Sequence, residues 1–170
     1  VFFGGVARLA SVTEKLVPFM AAIYIIGGSY VIIEHASQII PAFEMIFVAA
    51  FDPQAVAGGA LGLTVAKAMQ FGVARGLFSN EAGMGSTPHA HAIAKVDHPV
   101  EQGLVAMFGV FATLVVVTFT GVVILVTGVL DYQATGIELT QKAYNVGLGS
   151  FGMSFVAICL FFFAYSTIIG

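Results

Sequence analysis

Between Phe78 and His98 the chain gathers side chains that could do chemistry: Ser79, Asn80, Glu81, His89, His91 and His98, with Gly83 and Gly85 among them. Three chemistries compete for them. Three histidines raise the question of a metal. However, helical residues two apart do not share a face, and no thiol or paired carboxylate joins them, which disfavours zinc. Glu81 with His89 or His91 could act as acid and base. The spacing allows it, but no nucleophile–base pair or metal set accompanies them, so the reading is not an enzyme. The third chemistry is recognition of a small ligand and an ion by exposed backbone. Gly83 and Gly85 permit unusual φ/ψ and close approach to the main chain. Ser79 and Asn80 offer oxygens and can satisfy neighbouring backbone groups.

Such a segment must be positioned by its surroundings, and these are apolar. Of 170 residues 59% are hydrophobic and 9% charged, with mean hydropathy +1.00. Soluble domains carry roughly 25% charged residues. The class implied is an all-α integral membrane protein in a lipid bilayer. A net charge of −3 leaves no basic patch, so nucleic acid is not expected as a partner. Cys159 lies in an apolar run and reads as a small buried hydrophobe. The opening "VFFGGVARLA" and the final "FFFAYSTIIG" read as cut ends of a longer protein.

One partial transmembrane domain is expected over residues 1–170, with spans at about 14–34, 101–130 and 150–170 and a broken helix within 60–95. Leu16–Ile33 is uncharged, with Pro18 expected in its first turn, where a missing N–H does no harm. Residues 34–59 read as a connection of short interfacial helices, interrupted by Pro41, Pro53 and Gly58-Gly59. Ala60–Leu77 looks helical despite Lys67 and Arg75. Asp131–Lys142 reads as a polar loop. Gly27, Gly28 and Gly121 are expected to let helices approach closely.

Arg8, Lys15 and Lys95 place the N-terminal edge and the loop before the second span on the cytoplasmic side. Glu34, Glu44 and Asp52 then lie outside. The chain must therefore cross back between residues 60 and 95, where no continuous apolar run exists. The crossing element is expected to be interrupted at Ser79–Ser86; a plain surface loop is the alternative, and it leaves the crossing unmade. Irregular backbone at membrane depth survives only when buried in protein or lining a cavity. Half-helix N-termini suit a carboxylate, and freed carbonyls suit a small cation. Pro88 suits the first turn of a following half-helix, "PHAHAIAK", capped by Ser86 or Thr87. Glu81 admits a proton relay, capping of half-helix N–H groups, or pairing with Arg75, and the structural roles are favoured.

The run "GVARGLFSNEAGMGSTPHAHAIAKVDHPVEQGLV" resembles the signature region of the sodium:alanine symporter family. "EKLVPFMA" and "FAYSTIIG" resemble family segments too, so the resemblance covers the whole chain. Members are several times longer, which makes this a central piece. The resemblance implies the leucine-transporter-like inverted-repeat fold of the amino acid–polyamine–organocation class. The chain would supply about transmembrane helices 5 to 8, the sixth being broken. It implies substrate contacts from Phe78, Ser79, Asn80 and Gly83, and a sodium site from Ser166, Thr167 and the Phe163 carbonyl. Read alone, the two hydroxyls more often bond their own i−4 carbonyl. The implied function is sodium-coupled symport of a small neutral amino acid, alanine or glycine. It would run across the cell inner (cytoplasmic) membrane in a multi-pass protein. Sodium is a transported co-substrate, and no organic cofactor is expected. A proton-coupled transporter, a channel and a membrane-embedded enzyme are the alternatives.

Overall fold

A computed structural model describes residues 5–51, 61–130 and 134–169. Asp52, Pro53, Gly58, Gly59 and Asp131, which carry parts of the sequence reading, lie outside the described residues. Among the described residues every regular element is a helix, as an all-α chain requires. In order these are α1 (Gly5–Glu34), a 3-10 turn (Ala36–Gln38), α2 (Ile39–Phe51), α3 (Leu61–Phe78) and α4 (Glu81–Met84). They continue with α5 (Thr87–His91), α6 (Pro99–Val126), α7 (Ile137–Leu148) and α8 (Phe151–Ile169). They fall into two compact units, Val1–Phe43 with Thr118–Gly170, and Glu44–Val117.

Ser11–Glu34 and Pro99–Val126 are long and apolar enough to cross a membrane, while Phe151–Thr167 is a shorter apolar helix. Only 11% of the apolar window of Pro99–Val126 is buried among the described residues. Phe108, for example, is 72% exposed. Apolar surface continuous over a helix of this length is far more than a soluble monomer tolerates. It calls for lipid or further protein.

The first unit is organised around two tyrosines. Tyr24 of α1 and Tyr144 of α7 are both buried, with ring centroids 5.5 Å apart. Tyr24 also meets Phe119 at 6.4 Å and Phe163 at 5.7 Å, both edge-on. Its hydroxyl pairs with Thr120 Oγ1 at 2.8 Å. Tyr144 stacks on Phe155 of α8 at 5.6 Å. Small residues make room for these rings. The missing side chain of Gly27 is replaced by the Phe155 ring, and that of Gly28 by the Phe119 ring and the Tyr144 hydroxyl. Gly121, expected to serve the same purpose, faces open space with nothing within 4 Å. Cys159 is buried as a small hydrophobe.

Two expectations are corrected here. Pro18 lies well inside α1, not in its first turn. The helix runs back to Gly5 because "GVARLASVTEKL" contains no breaker strong enough to stop it, so Pro18 deprives the Glu14 carbonyl of its i+4 donor. The segment read as a polar loop up to Lys142 instead forms α7 from Ile137. Its polarity is one-sided: Ala143 and Tyr144 are buried, while Lys142 reaches Glu138 at 3.5 Å one turn away. Gly136 and Gly149 bound it with φ of 60° and 61°.

Candidate functional site

The second unit holds the segment rich in reactive side chains. α3 mixes good helix formers such as Ala66, Lys67 and Met69 with three glycines, and ends at Phe78. Ser79 and Asn80 end it in two ways. The Ser79 N–H and hydroxyl both turn back onto the Gly76 carbonyl, at 3.4 and 2.7 Å. Asn80 is extended, with φ −144° and ψ 151°. Its side-chain oxygen caps α4 by accepting the Ala82 N–H at 2.9 Å, while its Nδ2 donates to Thr113 Oγ1 on α6 at 2.8 Å. α4 is a single turn of four residues, closed by Gly85 at φ 78°. α5 follows, five residues long, with Ser86 at its N-cap and Pro88 in its first turn.

The interruption therefore falls at Ser79–Asn80 and again at Gly85–Ser86, within the stretch singled out in the sequence. The following half-helix is shorter than expected. "PHAHAIAK" does not continue to Lys95; the helix ends at His91 and the chain turns through residues 92–98 to Pro99. Proline at 99 biases the preceding residue away from helix. His98 Nδ1 also accepts the Val100 N–H at 3.2 Å, which ties the turn to the start of α6. Ser86 stands at the cap position with no side-chain hydrogen bond to the helix.

Four residues implied as substrate contacts, Phe78, Ser79, Asn80 and Gly83, are gathered at this one corner. Phe78 is 72% exposed, and Asn80 is half-buried. Gly83 has a definite local reason to be glycine. A Cβ there would run into the Leu77 carbonyl and lie 2.9 Å from Leu77 Cα. The turn of α4 is folded directly onto the end of α3, so the space beside Gly83 is filled by main chain. Gly85 differs: nothing lies within 4 Å of its missing side chain, and only its left-handed φ constrains it. Gly85→Ala is expected to cost about 1–2 kcal/mol through backbone strain alone, read as a lower Tm of the purified protein. Gly85→Asn should recover part of the loss, because asparagine tolerates this region better.

Glu81 sits exposed in the first turn of α4. Among the described residues it makes no ion pair with Arg75, and the cap is Asn80. The histidines do not converge: His91 pairs with Gln102, and His98 with the Val100 N–H. Among the described residues no three His, Cys, Asp or Glu side chains gather as a metal would require.

The residues implied for sodium lie in the first unit. Ser166 Oγ and Thr167 Oγ1 both donate to the Phe163 carbonyl, at 2.8 and 2.9 Å. This is the back-bonding such hydroxyls usually adopt. It also brings three oxygens of one helical turn together, and each hydroxyl oxygen keeps lone pairs beyond the proton it donates. Tyr24 and Phe163 meet edge to face, holding that turn in place. Thr113 was not singled out in the sequence. One of three threonines in an apolar 28-residue helix, it gives no signal of a partner 33 residues away.

The chain aligns with much longer proteins. An uncharacterized transporter of Haemophilus influenzae is 45% identical over 173 residues, covering 100% of this chain and 38% of the relative. The sodium/alanine symporter AgcS of Methanococcus maripaludis is 43% identical over 175 residues, covering 100% and 38%. A sodium/proton-dependent alanine carrier protein of a Bacillus species is 39% identical over 181 residues, covering 97% and 40%. The chain thus spans about two fifths of the length of these curated relatives. The model of the sodium:alanine symporter family matches residues 1–170, and the chain belongs to that family.

Proposed function

We propose that this chain is part of a secondary active transporter that couples inward sodium flow to uptake of a small neutral amino acid, alanine or glycine. The observation that carries the reading is the break at Ser79–Asn80, where helix gives way to single turns in a chain of this family. Substrate would be met there by Phe78, Ser79, Asn80 and Gly83. Sodium would be met by the Phe163 carbonyl with Ser166 and Thr167, whose three oxygens cluster on one turn and offer the hard oxygen ligands a small cation takes. The fold is proposed to be leucine-transporter-like, with spans near 14–34, 101–130 and 150–170 and a broken helix within 60–95. The protein would sit in the cytoplasmic membrane as a multi-pass carrier, with access alternating as helix bundles rock about the site. No covalent step is assigned. Sodium is favoured over protons because neutral hydroxyl and carbonyl oxygens, with no carboxylate among them, form the proposed cation site.

The test uses the full-length protein in liposomes, with labelled alanine outside. Asn80→Ala should depress uptake at all sodium concentrations. Ser166→Ala combined with Thr167→Ala should raise the sodium needed for half-maximal uptake by about 10-fold or more, as loss of contacts to a charged ligand implies. Thr167→Ser should restore most of that loss when Ser166 is intact. Sodium dependence unchanged in the double variant would remove the cation assignment, and full uptake by Asn80→Ala would remove the substrate assignment.

A further inference from the structure

The break is tied to α6 by a short hydrogen-bond relay. Thr113 Oγ1 donates to the Gly109 carbonyl at 3.0 Å, the usual i−4 bond. A hydroxyl has one proton, so with that proton on Gly109 this oxygen accepts from Asn80. Asn80 must then present Nδ2, which lies 2.8 Å away. Its Oδ1 is left for the Ala82 N–H at 2.9 Å. The reversed amide would set its NH2 group against the Ala82 N–H, and Oδ1 against a hydroxyl whose proton is spent on Gly109. The Ala82 bond would be lost, and the Thr113 hydroxyl would have to give up Gly109 to keep the other. The Ala82 N–H therefore sets which end of the Asn80 amide is oxygen, and Thr113, with its proton on Gly109, holds the amide in that orientation.

An amide has two N–H donors and two acceptor lone pairs. The relay uses one of each and leaves one of each. A zwitterionic amino acid carries a carboxylate that accepts and an ammonium that donates, so the remaining pair matches both ends of such a ligand. The geometry points to Thr113 as a positioning residue for the substrate site: without touching the ligand, it holds the Asn80 amide so that its free donor and acceptor face one way. This rests on the reading of Phe78–Gly83 as the substrate corner. It concerns a residue of α6 outside that corner's own sequence motif.

The test measures alanine uptake by the full-length protein in liposomes under a sodium gradient, together with Tm. Thr113→Val keeps the shape and removes the acceptor. The KM for alanine should rise about 10-fold with Vmax within about twofold, the pattern of a lost binding interaction, and with Tm unchanged. Thr113→Ala carries the same expectation and cannot clash if the valine misfolds the protein. Thr113→Ser should return KM to within about twofold of wild type. Combined with Asn80→Ala, Thr113→Val should add no further rise, because residues acting through one another are not additive. An active wild type whose KM ignores Thr113→Val and Thr113→Ala overturns the proposal alone. So does a fall in Tm and Vmax at unchanged KM, which marks a merely structural bond, or a serine variant that fails to restore. A wild-type protein that takes up no alanine overturns the substrate reading, and the proposal with it.

Discussion

Gly83→Ala is expected to reduce uptake by about one to two orders of magnitude, against almost no change for Gly72→Ala or Gly76→Ala earlier in the chain. All three substitutions add a single methyl group. At Gly72 and Gly76 that methyl enters open space, with nothing within 4 Å. In a helix interior it is if anything favourable, since alanine exceeds glycine in helix propensity by about 1 kcal/mol. At Gly83 it enters the Leu77 carbonyl. That neighbour is main chain and cannot rotate aside as a side-chain end could. Overpacking of this kind costs about 1–3 kcal/mol, roughly 5- to 150-fold in any equilibrium that needs the corner intact. The corner must open instead, moving Asn80 and its cap with it. Initial uptake rates normalised to folded protein check the contrast. Equal rates for Gly83→Ala and Gly76→Ala would show that α4 is not folded onto the end of α3.

Tyr144→Ala is expected to lower stability by about 3–5 kcal/mol, the range for emptying a buried aromatic site. Tyr144 is 0% exposed and the largest fully buried side chain among the described residues. It joins α7 to Tyr24 of α1 and to Phe155 of α8, and the missing side chain of Gly28 accommodates its hydroxyl. Burial pushes its phenol up well beyond the ordinary range, so it stays neutral. Tyr144→Phe should cost under about 1 kcal/mol. The hydroxyl reaches the Tyr24 carbonyl only at 3.5 Å, the long limit of a hydrogen bond. Thermal unfolding of the purified protein distinguishes the two variants. A phenylalanine variant as unstable as the alanine variant would move the weight from ring packing to the hydroxyl.

Local composition made part of this legible in advance. "FSNEAGMGS" sits between apolar runs, and its glycines, serine and asparagine carry the two interruptions seen at Ser79–Asn80 and Gly85–Ser86. The back-bonded hydroxyls of Ser166 and Thr167 were equally readable, because i−3 and i−4 partners are set by helix geometry. What the sequence hid was of two kinds. The first half of α7, up to Lys142, reads as a loop because its polar residues precede the buried Ala143 and Tyr144, which matter only once Tyr24 and Phe155 are there to meet them. Pro18 and the early end of α5 show the same weakness at boundaries, where the residues beyond an element decide its length. The second kind is long-range. The use of Gly83 depends on Leu77 folding over it, and the role of Thr113 depends on Asn80 arriving from 33 residues away.

The central claim is that an ion gradient of sodium, and not of protons, drives a small amino acid through this protein. The direct measurement is accumulation of labelled alanine by the full-length protein in sealed liposomes at matched ionic strength. One set carries an inward sodium gradient at equal pH, the other an inward proton gradient without sodium. Accumulation above the external concentration in the first set, and mere equilibration in the second, is the predicted result. Accumulation driven by protons without sodium, or equilibration in both sets, would contradict it.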